Sequence, residues 1–177
     1  MTLEEFIQDT IIDALGIMVN TPKLKYLSFG VMSSAIEFLG ACLDTEGFHV
    51  SDRSRMRFEM AMKSLSTFCQ YRKYIGSGKR IDLYKELRSG MIHALLPQSR
   101  VELTQRAELN GGGKHLQEHI LKNRNNNPKR LLLVCEDLYD DIRGAANELI
   151  TELKTNKYHH KATEPFLATD IEIARTP

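Results

Sequence analysis

The sequence predicts a mainly α-helical protein: an up-and-down bundle of four helices, a fifth helix packed back onto it, and a small β insertion between them. Three observations predict it. Four successive segments before residue 97 repeat their apolar residues at intervals of three and four. A short apolar run, Leu131 to Val134, is bounded by asparagines and proline. A long amphipathic stretch then follows from Leu138 to Leu153. The chain has 177 residues, 42% of them hydrophobic, enough for one well-buried core, so residues 1–177 are read as a single domain.

The elements follow in order. Thr2 with Glu5 three residues later is a capping-box pattern. Leu3, Phe6, Ile7, Ala14, Leu15 and Met18 then make a helical stripe that Asn20-Thr21-Pro22 ends. Leu27, Val31, Ser34, Ala35, Phe38 and Cys42 keep near-heptad spacing in a second helix, and its small residues Gly30, Ser33, Ser34 and Ala35 would admit a close neighbour. A third pattern runs through Phe58, Ala61, Met62, Leu65, Phe68 and Cys69 until Gly76-Ser77-Gly78 breaks it. The fourth helix carries Leu83, Tyr84, Leu87, Met91, Ala94 and Leu95 and stops at Pro97.

Beyond Pro97 the character changes, and a strand-containing insertion is expected over about residues 98–135. Val101, Leu103 and Gln105 alternate with polar residues, Asn110 to Gly113 is a turn or loop, and Leu131 to Cys135 reads as a buried strand in an antiparallel sheet of two or three. Leu116 to Leu121 fits strand or helix. The last helix presents Leu138, Ile142, Ala145, Ala146, Leu149, Ile150 and Leu153 on one face, and a tail over about residues 157–177 has no clear period.

Charge and cysteine content bound the function. There are 24 basic and 23 acidic residues, a net of +1, so any attraction to nucleic acid must come from local clustering. Cys42, Cys69 and Cys135 are widely spaced, each in an apolar context, and read as buried reduced thiols of a cytoplasmic protein. The acidic start is unlike a leader, and no apolar run of membrane-spanning length is apparent, so no membrane association is expected.

Polar residues on the fourth helix carry the chemistry. Arg88 flanks its apolar stripe, and on a regular helix His93 falls roughly 140° away, beside Glu86 and Ser89. The two address one site only where the helix is irregular, where Gly90 loosens the turn, or where two copies meet. Arg88-Ser-Gly-Met-Ile-His93 resembles the Arg-x4-6-His motif of the HEPN superfamily, all-helical proteins that include many toxin and defence ribonucleases. The resemblance covers about fifteen residues, and where many such motifs carry Asn after the Arg this chain has Ser89. It implies a homodimer whose two motifs meet in a cleft, and metal-independent cleavage of RNA by its own 2′-hydroxyl. It also leaves room for an antitoxin or other partner protein. His93 would shuttle the proton and Arg88 would hold the phosphate. The alternative is a non-catalytic helical module that binds a partner protein or a nucleotide-related ligand and keeps the pair structurally.

Residues 51–80 hold eight basic residues against two acidic ones, a local net of +6. Arg72, Lys73, Lys79 and Arg80 are therefore candidate RNA-binding residues, with Ser89 beside the motif. The competing reading is a solvated face answered by Glu4, Glu5, Asp9 and Asp13. Lys122, Arg124, Lys129 and Arg130 form a second basic patch, read as loop. His115 and His119 stand at helical metal-ligand spacing without a third ligand, so no metal and no cofactor are expected. His159-His160 falls in the tail.

Overall fold

The computed structural model describes residues 1–109, 113–120 and 129–155. Leu3–Phe6, the π-helical Ile7–Ala14 and Leu15–Asn20 follow without a break as α1. Then come α2 (Lys25–Leu43), α3 (Ser54–Ser64), a 3₁₀ helix (Ser66–Tyr74) and α4, built from the π-helical Tyr84–Ser89 and the α-helical Gly90–Ala94. Strands β1 (Val101–Thr104), β2 (Glu118–His119) and β3 (Arg130–Val134) precede α5 (Cys135–Lys154). The chain is thus mostly helical with one three-stranded sheet.

The predicted capping box forms: Glu5 N–H donates to Thr2 Oγ1 at 3.2 Å, and Thr2 N–H to Glu5 Oε2 at 2.7 Å. Helix α2 lies at the centre, with Phe29, Met32, Ile36 and Leu39 buried. Its predicted near-heptad stripe divides: Leu27 and Val31 are 45% and 41% exposed, whereas Ala35 and Cys42 are buried. A helix apolar on nearly every face does not reveal by its spacing which face turns inward. By length and composition Lys25–Leu43 would also cross a membrane, contrary to expectation, but 61% of that window is buried inside the fold, as in a core helix.

The third pattern divides. Helix α3 gives way at the extended Leu65 (ψ 130°) to the 3₁₀ helix, and Leu65 with Phe68, Tyr71 and Tyr74 of that helix, three apart, are all buried. The Glu148 carboxylate from α5 takes the N–H groups of Ser66 and Thr67 at 2.9 and 3.3 Å and caps that helix. Three residues per turn rotate Cys69 outward, so of the three reduced thiols Cys42 and Cys135 are buried and Cys69 is exposed, not buried as its apolar neighbours implied.

The sheet is mixed rather than antiparallel. Its order is β1-β3-β2, with β1 parallel to β3 (Val101 beside Leu131) and β2 antiparallel to it (Glu118 beside Leu131). The long connection between β1 and β3 has the length a parallel pair requires, which a hairpin would not. The chain near Asn110–Gly112, the patch at Lys122 and Arg124, His159-His160 and the tail over 157–177 lie outside the described residues.

Helices α2 and α3 meet at Gly40, where an added Cβ would stand 1.7 Å from the Arg57 carbonyl oxygen. The obstacle is backbone, so Gly40→Ala forces the helices apart. Urea denaturation should show a loss of about 3 kcal/mol, the upper end of overpacking costs. Thiol titration of the native protein should find one fast group, abolished by Cys69→Ser, and two slow ones.

Candidate functional site

The motif helix begins at Asp82, whose carboxylate accepts the Tyr84 N–H (3.1 Å) while its carbonyl accepts the Glu86 N–H (2.8 Å). Leu83, Leu87 and Met91 face the core, but Ala94 and Leu95, expected on the same stripe, are exposed. Their departure follows from the helix end: Leu95 takes a left-handed conformation (φ 53°) and stops the period. Gly90 does more than loosen a turn. An added Cβ there would lie 2.5 Å from the Leu96 carbonyl oxygen, so only glycine lets the chain fold back over the helix.

Arg88 falls in the π-helical stretch and His93 in the α-helical turn after it. The regular step that separates them by roughly 140° therefore does not hold through this segment. Half-buried Arg88 donates from Nε to Glu37 Oε2 at 2.7 Å, with its guanidinium over the Tyr84 ring at 5.7 Å. The same carboxylate oxygen accepts from Ser54 Oγ (2.8 Å), which in turn accepts from Tyr84 Oη (3.0 Å). Among the described residues neither Nη of Arg88 has a hydrogen-bond partner, so the fork that suits a phosphate remains open. A hollow of about 310 Å³ opens beside it, lined by Ser34, Glu37, Phe38, Ala41, Phe48, Arg57 and Arg88. His93 is exposed and makes no hydrogen bond among the described residues, and Ser89 is half-buried. Among the described residues the two motif side chains share no partner.

The basic candidates gather elsewhere. Lys73, Lys79 and Arg80 line a hollow of about 210 Å³ with Tyr74 and Glu118, and none of them lines the hollow at Arg88. Arg80 is ion-paired with Glu118, and the Lys73 ammonium lies over the Tyr74 ring at 4.8 Å. Arg72 and Lys79 are exposed, with no ion pair among the described residues. Much of the +6 is cancelled locally, not by α1: Arg53 and Arg57 pair with Asp44, Arg55 with Glu59 and Asp82, and Lys63 with Glu59. Glu4 pairs with Lys154 instead.

Sequence reasoning missed Glu37, although the lone charge between Lys25 and the end of α2 was the available signal. His115 and His119, whose spacing would suit a shared helix face, lie on no common helix. His119 Nε2 meets Glu102 Oε2 at 3.0 Å. His115 Nδ1 accepts the Val134 N–H (2.9 Å), which leaves its proton on Nε2 to donate to Tyr71 Oη (2.7 Å). Tyr71 donates to Asp141 Oδ2 (2.6 Å), which also accepts from Gln70 (2.8 Å). This relay clasps the insertion to the 3₁₀ helix and α5. Burial pushes the His115 imidazolium down to about 4, the Asp141 carboxyl up, and, with the nearby Asp141 charge, the Tyr71 phenol well up. No group of three His, Cys, Asp or Glu suited to a metal occurs among the described residues.

The clasp sets a pH dependence. The unfolded chain protonates His115 as pH falls through 6.5, the folded one only near 4. The unfolded state thus binds more protons in that window, and stability falls as pH drops across it, by about 3 kcal/mol in all. The raised Asp141 carboxyl works in the opposite sense, so the clean comparison is with His115→Gln. Denaturation at stepped pH should give the variant a flatter profile between 6.5 and 4, with no difference in slope above 6.5.

Compared with family models, curated proteins and solved structures, the chain matches none.

Proposed function

We propose that this chain is an HEPN-like RNA-binding protein acting as a metal-independent endoribonuclease, a cytoplasmic homodimer whose helices form an up-and-down bundle. The observation that carries the reading is the state of Arg88. A guanidinium gripped through Nε by Glu37 and half-buried is fixed in direction, while both Nη groups stay available to a phosphate. A short step along the same helix, His93 is exposed and not covered by the described residues of the insertion, as a proton shuttle for an incoming 2′-hydroxyl needs to be. The π-helical stretch under Arg88 fits as well, because such irregularities are common at functional sites.

An apolar face supports the dimer. Helices α2 and α4 lie side by side, joined by Tyr26 Oη donating to the Leu95 carbonyl (2.8 Å) and by the Arg88–Glu37 pair. Leu27 and Val31 on α2, and Ile92, Leu95 and Leu96 at the end of α4, are 41% to 62% exposed. Apolar side chains in such number on neighbouring elements mark an interaction surface, and pairing about a two-fold axis would bring both copies of His93 near it. Leu95 holds its left-handed backbone at a cost of about 1 kcal/mol, an expense better explained by the exposed side chain it presents than by the turn it makes.

The rival reading is a non-catalytic module that binds a partner protein, such as an antitoxin, or a nucleotide-related ligand. The same ion pair favours it, since Glu37 is partner enough for a structural arginine.

A cleavage assay on mixed RNA decides between them. His93→Ala should lower the rate by at least about 10²-fold with an unchanged melting temperature, since its loss opens no cavity. Arg88→Ala should weaken both binding and turnover, and chelator should change neither. No cleavage and no RNA affinity in the wild type would end the reading. Sedimentation should give a dimer that Val31→Glu dissociates, whereas Leu95→Gly should stabilise the monomer but weaken association.

A further inference from the structure

We propose that the hollow lined by Lys73, Lys79 and Arg80 receives the phosphate monoester at the end of an RNA strand, so that the protein favours phosphorylated ends. This rests on the RNA reading above and adds to it which RNA is held. Besides the three cations and Glu118, the hollow of about 210 Å³ is walled by the buried Tyr74 and Ile81. Its form comes from a glycine turn. Ile75 and Ile81 are both buried, and between them Gly76 (φ 124°) and Gly78 (φ 87°) take positive-φ conformations that other residues adopt only with strain. An added Cβ at either would meet nothing within 4 Å, so conformation rather than space calls for glycine. Within the turn the Lys79 N–H donates to the Gly76 carbonyl (3.3 Å), and the chain brings Lys79 and Arg80 back beside Lys73.

The three cations are committed to different degrees. Arg80 donates from Nη2 to Glu118 on β2, while its Nε and Nη1 have no partner among the described residues. The Lys73 ammonium lies over the Tyr74 ring at 4.8 Å, and the Tyr74 hydroxyl donates to the Leu116 carbonyl (3.4 Å). The Lys79 ammonium has neither a hydrogen bond nor an ion pair among the described residues. Three positive charges against one carboxylate leave the hollow a net of +2. A phosphodiester inside a strand carries one negative charge and must continue in both directions, whereas a terminal monoester carries about −1.5 to −2 at neutral pH and stops there. The charge of the hollow matches the monoester. None of these residues lines the hollow at Arg88, so the end phosphate and the phosphate assigned to Arg88 are different groups.

Fluorescence anisotropy tests the assignment with one short 2′-O-methyl oligonucleotide, which carries an internal fluorophore and cannot be cut through the 2′-hydroxyl. It is made in three forms, with hydroxyls at both ends, with a 5′-phosphate, and with a 3′-phosphate. At least one phosphorylated form should bind wild type about tenfold more tightly than the hydroxyl form, as charge-assisted hydrogen bonds allow. Lys79→Ala and Arg80→Ala should each remove most of that preference while the hydroxyl form binds nearly as before. Arg72→Ala, which removes an exposed cation outside the hollow, should keep the preference, and this separates a site from general attraction to charge. Equal wild-type binding of the three forms overturns the end site and leaves the RNA reading standing. So does a preference that survives both Lys79→Ala and Arg80→Ala, or one that Arg72→Ala lowers as much as they do. Wild-type binding to none of the three overturns the RNA reading itself.

Discussion

The contact on which the rest of the site depends is the close approach of α2 and α3 at Gly40. With no Cβ there, the Arg57 backbone comes up against α2, and the buried Arg57 side chain reaches back to Asp44 at the end of the same helix. Burial pushes the Asp44 carboxyl up, but hydrogen bonds from Arg53 and Arg57 outweigh that and hold it below the usual range. Such a buried pair adds little net stability over an apolar equivalent, yet removal of either partner strands a charge. Its product here is geometry. It fixes the loop bearing Phe48, starts α3 so that Ser54 meets Glu37, and through Glu37 aims Arg88.

That chain of dependence gives the motif helix its character. A regular helix would separate Arg88 and His93 without assigning either a partner. The observed one is π-helical under Arg88, closes over Gly90 and ends on a strained leucine, so its irregularities fall within and just after the motif. Backbone strain survives only where the surroundings over-determine it. Here Tyr26 holds the Leu95 carbonyl and the core holds Met91.

Electrostatics follow the same local logic. Five of the eight basic residues in 51–80 are already answered by carboxylates on neighbouring elements. Any RNA bound would therefore meet a few scattered cations, the exposed Arg72, Lys73 and Lys79 and the fork of Arg88, rather than a continuous basic track. Affinity from so few phosphate contacts would depend only modestly on salt.

The sequence by itself determined the helical character, the capping box at Thr2, the inward face of α5 and the existence of a sheet, because each is written in contacts between residues a few positions apart. Spacing alone could not orient α2, which is apolar on nearly every side, and nothing local marked its lone Glu37 as the partner of a residue 51 positions on. The run Leu65, Phe68, Tyr71, Tyr74 already had the period of a 3₁₀ helix, but it read as α because Phe58, Ala61 and Met62 precede it. Only the tertiary structure decided that β1 lies parallel to β3, that His115 belongs to Tyr71 and Asp141 rather than to His119, and that Arg88 belongs to Glu37. The hydrogen bonds that link Tyr71 with His115 and Asp141, and Arg88 with Glu37, join residues 44 to 70 positions apart. Hydrogen bonds and buried charge are short-ranged in space but indifferent to separation along the chain, so no local pattern records them.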